Sequence, residues 1–189
     1  MSATHGTNFC VNCATRLESI SSQEDGGAKT RLRCRACGWT HWNNPTPVLA
    51  AVIELADREG HLLLARNAAW PGKFFGLVTG FMEAGETPEE GIAREVAEET
   101  SLTVDSLSLI GVYEFLRMNQ VIIAYHVAAR GEIVLSPELV DHRVVAPERV
   151  KCWPAGTGRA LADWLRSRGI EPQWMELPPG KRPSETDTE

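Results

Sequence analysis

Apolar residues along this chain fall into short runs and alternations separated by glycine, proline and acidic turns. Residues 48–55 (VLAAVIEL) form an almost unbroken apolar run, which predicts a buried strand. Residues 57–60 (DREG) predict a hairpin turn, and 62–66 the returning strand. A loop is expected over 67–73 and a short strand over 74–79. The pattern then predicts a helix from about 88 to 100, and two β-rich stretches, 107–116 and 121–129, forming a hairpin around 117–120. Short strands are expected at 133–135 and 143–145. Leu161, Ala162, Trp164 and Leu165 recur at helical spacing, so 158–168 reads as a packing helix. Residues 43–47 (NNPTP) read as a linker because two prolines stop any helix across it. The stretch from Pro178 onward has no large apolar residue and reads as a disordered polar tail. These boundaries predict three parts: 1–44, 45–172 and a tail at 173–189. No internal repeat is visible.

The 189 residues are 43% hydrophobic and 23% charged, ordinary globular proportions that exclude fibrous and low-complexity classes. Nineteen Lys and Arg against 25 Asp and Glu give a net charge of −6. Such a chain has no general attraction for nucleic acid or anionic membrane, so nucleotide binding would be local and metal-assisted. The polar start, residues 1–8, lacks an apolar signal core, and the longest apolar run, 48–53, is too short to span a bilayer. A soluble, cytoplasmic protein is expected, with no membrane partner.

Four of the five cysteines form two pairs, Cys10–Cys13 in FCVNC and Cys34–Cys37 in CRACG. In a reducing compartment thiols do not rest as disulfides, so paired CxxC turns read as metal ligands. Each turn aims two thiolates at one point, and two turns complete a tetrahedron around Zn²⁺. Redox pairs or four buried thiols are the alternatives. The segment SISSQEDGGAK between the pairs reads as a polar loop with almost no apolar residue, so a metal would serve as its core. A small zinc ribbon at 1–44 follows, and Cys152 is expected to be a small core residue.

The densest chemistry lies between Gly80 and Leu102, GFMEAGETPEEGIAREVAEETSL. Thr87 predicts an N-cap, Pro88 the first helical position, and Glu90 the reciprocal carboxylate of a capping box. At about 100° per residue, Glu95, Glu98 and Glu99 share one arc. Ala93, Val96, Ala97 and Thr100 take the opposite side, expected to pack on a sheet. Three converging carboxylates repel one another, and a hard divalent cation, Mg²⁺ or Mn²⁺, relieves that repulsion. A solvated acidic face is the alternative for E-x-x-E-E by itself; the glycine loop ahead of it favours the metal.

Gly80, then Glu86 after five residues, then Arg94-Glu95-Val96-x-Glu98-Glu99-x-Ser101-Leu102 after seven, resembles the Nudix box, with Ser101 where the box carries glycine. That glycine follows the helix end, where a positive φ is often needed, so serine there is expected to cost up to ~1 kcal/mol. The resemblance implies an α/β/α sandwich of the α/β class, preceded here by the zinc ribbon. It implies an enzyme hydrolysing a nucleoside diphosphate linked to another group. It also implies Mg²⁺ or Mn²⁺ held by Glu95, Glu98, Glu99 and the Gly80 carbonyl, with Arg94 holding Glu86.

The four-cysteine ribbon ahead of the box, and Gly80, Phe81, Glu83, Gly85 and Glu86 in G-F-x-E-x-G-E, are similar to the NADH pyrophosphatase branch and to shorter hydrolases of FAD or ADP-ribose. That likeness implies Glu138 as a further metal ligand and Phe81 and Glu83 as substrate contacts. The proline- and tryptophan-containing segment associated with NADH preference is absent, the chain reading Glu114-Phe115-Leu116-Arg117-Met118-Asn119 there. Broad cleavage of dinucleotides such as NADH, NAD, ADP-ribose or FAD, with release of AMP, is therefore expected. The choice of distal group is expected to fall to 115–120 and 137–149. A homodimer is expected, and nucleic acid enters only as a capped RNA end. The alternative is a non-catalytic nucleotide- or RNA-binding adaptor. Glu114 and Asp141 are candidate general bases. Trp70, Phe74, Phe75 and Phe81 are candidate base-stacking residues, with a core role for at least two. His41 and His126 read as structural.

Overall fold

The computed structural model describes residues 8–69 and 74–176. They divide into two compact units at the Asn44–Pro45 step. Trp70 and the segment from Pro178 onward, both singled out in the sequence, lie outside the described residues.

The first unit is a three-stranded antiparallel sheet, β1 (Glu18–Glu24), β2 (Gly27–Arg33) and β3 (Thr40–His41). The segment read as a polar loop is thus a regular hairpin turning at Asp25-Gly26. Its seven paired positions run from Glu18↔Arg33 to Glu24↔Gly27. Ladder hydrogen bonds and cross-strand ion pairs such as Arg31–Glu24 hold it, so it needs little apolar content. Backbone bonds from Ala14 N–H to the Cys10 carbonyl (2.9 Å) and from Gly38 N–H to the Cys34 carbonyl (3.0 Å) close the two cysteine turns. Cys10, Cys34 and Leu17 are buried together, with Leu32 and Trp39 packed against them.

The second unit is built on a six-stranded mixed sheet. Its strands are β4 (Thr46–Leu55), β5 (His61–Asn67), β6 (Val78–Phe81), β7 (Thr103–Phe115), β8 (Gln120–Arg130) and β9 (Leu139–Val145). The order is β7-β8-β4-β5-β9, with β6 paired to the first half of β4 and only β4–β8 parallel. On one face Leu49, Ala51, Ile53 and Leu55 meet Ile92 and Val96 of α1 (Pro88–Thr100). On the other, Val48, Ala50 and Val52 lie in the clusters that hold Ala160, Leu161, Ala162, Trp164 and Leu165 of α2 (Thr157–Ser167). Burial on both faces explains why β4 reads as a continuous apolar run rather than an alternation. This is the α/β sandwich expected from the sequence.

Several local expectations are corrected. Phe74 and Phe75 lie ahead of the strand expected to hold them: a lone bridge joins Ala65 to Gly76, and β6 begins at Val78. Residues 133–135 form no strand, because their hydrogen bonds go to a helix end instead. Val134 N–H donates to the Thr100 carbonyl and Ser136 N–H to the Glu99 carbonyl, both at 3.0 Å. The strand expected at 143–145 begins at Leu139, since it pairs with β5 along its whole length. Cys152 is fully buried as expected. No helix among the described residues is long and apolar enough to cross a membrane.

Candidate active site

The acidic helix starts as its sequence dictates. The Glu90 N–H donates to the Thr87 hydroxyl at 3.2 Å, and the Thr87 N–H to the Glu90 carboxylate at 2.8 Å. At the other end Ser101 adopts φ 60°, ψ 12°, the left-handed cap where glycine would be relaxed. The buried side differs from the sequence reading: Ile92, Val96, Glu99 and Thr100 are buried, whereas Ala97 is exposed. The Val134–Ser136 strap bonds to the carbonyls of the last turn, where Glu99 is buried.

Gly80, on β6 opposite Leu49, faces the Glu95 carboxylate so closely that a Cβ would fall within it. Arg94 lies among the acids. Its Nε and Nη2 fork onto both oxygens of Glu86 (3.0 and 2.9 Å), and Nη1 reaches Glu95 (2.8 Å) and Glu98 (3.1 Å). Nη2 also donates to the Phe81 carbonyl at 3.3 Å. Glu86 in turn accepts the Glu83 N–H at 2.7 Å, which pins the loop between strand and helix. The arginine beside it and that N–H hold the Glu86 carboxyl below the usual carboxylate range.

Glu95 and Glu99 move the other way. Burial raises both, and repulsion from neighbouring carboxylates, Glu138 among them, adds to it; Glu99 is pushed up to about 7. Glu138, two residues beyond the strap, is near enough for its charge to act on both. An arrangement in which burial and like charges both oppose ionisation is relieved by a divalent cation, and all the donors are the hard oxygens that Mg²⁺ and Mn²⁺ prefer.

Two contributors carry weak sequence signals. A Cβ on Gly91 would meet a Glu86 oxygen and the Leu49 Cδ1, each at 2.5 Å. Gly91 therefore lets helix, strand and the Glu86 carboxylate close on one another. The buried Tyr125 reaches from β8 to donate its hydroxyl to Glu89 at 2.8 Å. A lone helical glycine and a tyrosine in an apolar strand announce neither role.

The other candidates lie elsewhere. Glu114 pairs with Arg159 of α2, on the sheet face opposite the acidic helix. Asp141 is exposed on β9, in register with Arg66. His126 bonds Glu54 at 2.7 Å and stacks on Trp164, which supports its structural reading. Phe75 is buried under the Arg143 guanidinium and Phe74 packs edge-on against Trp153, whereas Phe81 is 59% exposed at the end of β6, where the loop entering the site begins. Glu83 is exposed on the same loop.

In the first unit the sulfurs of Cys10, Cys13, Cys34 and Cys37 all lie within 4.8 Å of one another. The Cys10–Cys37, Cys13–Cys34 and Cys13–Cys37 separations are 3.4, 3.5 and 3.7 Å. A zinc tetrahedron with bonds of about 2.3 Å has edges of about 3.8 Å, so the donor set fits Zn²⁺. His41 lies outside the four, its ring 5.9 Å from that of Trp39.

Residues 45–165 match the NUDIX domain family. The chain belongs to the Nudix family. It is 30% identical over 134 residues to an NAD-capped RNA hydrolase NudC of Pseudomonas aeruginosa, covering 70% of this chain and 45% of that protein. A NudC of Mycobacterium tuberculosis is 39% identical over 79 residues, 42% of this chain and 24% of its own. The chain thus spans about half, or less, of the length of these curated relatives. Among solved structures, a Nudix hydrolase from Nitrosomonas europaea superposes with a TM-score of 0.70 at 24% identity, covering 89% of this chain and 96% of its own. A MutT protein from Methanosarcina mazei does so at 0.53 and 23% identity, covering 66% and 96%. These two likenesses are of the Nudix fold.

Proposed function

We propose that this Nudix chain is a divalent-metal-dependent pyrophosphohydrolase. It would cleave the diphosphate of a nucleoside diphosphate joined to a second group, a dinucleotide such as NADH, NAD, ADP-ribose or FAD, and release AMP or a similar nucleotide. The observation that carries this reading is the direct apposition of Gly80 on β6 and the Glu95 carboxylate of α1, with the buried Glu99 one turn further along the same helix. Glu95, Glu98, Glu99, Glu138 and the Gly80 carbonyl would hold Mg²⁺ or Mn²⁺. When bound, the metal supplies positive charge for the bridging phosphates and lowers the pKa of the attacking water.

The protein's own residues organise the rest. Arg94 spreads one guanidinium over Glu86, Glu95 and Glu98, so the carboxylates are oriented before substrate arrives. Glu86, held by that fork, fixes the Glu83 backbone and with it the loop that follows Phe81, where Phe81 and Glu83 would meet the diphosphate. The four cysteines would hold Zn²⁺ as structure rather than chemistry, since four thiolates leave no open position for water.

A second form of the substrate, the same dinucleotide at the 5′ end of an RNA, is favoured by the NudC relatives. The deciding experiment compares kcat/KM for NADH, NAD⁺, ADP-ribose, FAD, diadenosine polyphosphates and NAD-capped RNA with Mg²⁺ and Mn²⁺. Chelator-sensitive cleavage of dinucleotides supports the proposal. Cleavage of nucleoside triphosphates alone, or binding with no turnover as in an adaptor, overturns it.

A further inference from the structure

The ribbon carries a surface that hydrolysis does not use. Although the chain is acidic, residues 1–44 hold five Lys and Arg against three Asp and Glu, while 45–189 hold 14 against 22. Three of those five cations, Lys29, Arg31 and Arg33, alternate along β2 and so share one face of the sheet, with Glu18 and Glu24 of β1 on the same face. Their spacing of about 6.7 Å is close to the step between successive phosphates of an extended single strand.

An aromatic group adjoins this row. Thr40 pairs with Arg33 across β2 and β3, and Trp42, two residues on, meets Arg31: the guanidinium lies 5.5 Å from the indole centroid and donates to the Trp42 carbonyl at 3.0 Å. Glu24 grips Arg31 through two bonds of 2.7 and 2.8 Å, which holds the planar guanidinium in place, and it also pairs with Lys29 at 3.7 Å. Lys29, Arg33 and Trp42 remain exposed, Trp42 by 55%. Beside them Trp39, Thr40, His41 and Trp42 line an open cleft of about 500 Å³. The thiolates lie beyond Arg33, so along the strand Lys29 is the cation farthest from their charge.

We infer that this face binds single-stranded RNA, its cations tracking the phosphates and Trp42 stacking a base. A cationic track with an exposed aromatic is the arrangement that holds single strands without reading sequence. The choice of RNA as occupant rests on the capped-RNA form of the substrate proposed above.

The test is fluorescence anisotropy of the full chain with an uncapped, labelled single-stranded RNA of about ten nucleotides, a length that spans such a site. It is repeated with the matching DNA strand and RNA duplex. The double variant Lys29→Glu/Arg33→Glu should weaken RNA binding at least tenfold and flatten its salt dependence. Trp42→Ala should cost about fivefold or more, and Trp42→Phe should restore most of it. Zinc content and Tm check that each variant is folded. Unchanged affinity in the folded variants overturns the inference, as does duplex RNA or single-stranded DNA binding as tightly as single-stranded RNA. Turnover of free dinucleotide by the unmodified chain is read separately, so loss of the hydrolase reading and loss of this surface are told apart.

Discussion

Gly80 and Glu95 occupy adjoining space: the Cα of one faces the carboxylate of the other with no room for a methyl group between them. Gly80→Ala should therefore push the Glu95 carboxylate aside without disturbing the apolar core. The expected result is a fall of about 10²-fold in kcat, the cost of displacing a positioned group, together with weaker Mn²⁺ binding. Activity and a metal titration of the folded variant check both, and an alanine variant with full activity would remove Gly80 from the site.

Glu99 ties stability to pH. Its folded pKa of about 7 lies above the ordinary 4.5, so the protonated form favours folding. That contribution is complete below about 4.5 and is lost as pH rises through about 7. The metal-free protein should lose Tm over this window, and Glu99→Gln should flatten the profile. Saturating Mg²⁺ should restore Tm in the unmodified protein at pH 7 and above. Thermal melts across pH, with and without metal, measure this, and Glu99→Gln should also lower kcat by about 10²-fold.

Ser101 sits at φ 60° and donates its hydroxyl to the Val134 carbonyl at 3.2 Å. Ser101→Gly relieves about 1 kcal/mol of left-handed strain and gives up an exposed hydrogen bond of about 0.5 kcal/mol. A net gain of about 0.5 kcal/mol is expected, a rise of 1–2 °C in Tm at this size. A fall in Tm would show that the strap bond outweighs the backbone strain.

Cys34→Ser should release zinc and loosen the hairpin unit, because Cys34 is buried at the centre of its small core. Hydrolysis should keep its Mg²⁺ dependence, since the acidic helix belongs to the other compact unit. Metal analysis of freshly purified, reduced protein and a Mg²⁺ titration of the variant measure the two effects. Reduced protein without zinc would overturn the ribbon assignment.

The sequence by itself determined what depends on local spacing. The capping box at Thr87 and Glu90, the two cysteine turns, the buried strand at 48–55 and the acidic helix were all legible because each is set by residues within a few turns or a single run. Arg94 forks onto Glu86, eight residues earlier and just ahead of the helix start, the pairing that the box resemblance implies. The polar hairpin at 18–33 was missed because its stability lies in cross-strand pairing, which apolar content does not report.

Only the tertiary structure decided which side of the acidic helix faces inward. Periodicity divides a helix into faces but does not say where the neighbouring chain will lie. Here Glu99 is buried on the turn to which the strap at 134–136 bonds, while Ala97 lies in solvent. The same packing lets the charge of Glu138 act on Glu95 and Glu99, and sets Gly80 and Gly91 where only hydrogen fits. Those contacts join segments about forty residues apart, and their distances are fixed by how the sheet and its covering helices close on one another.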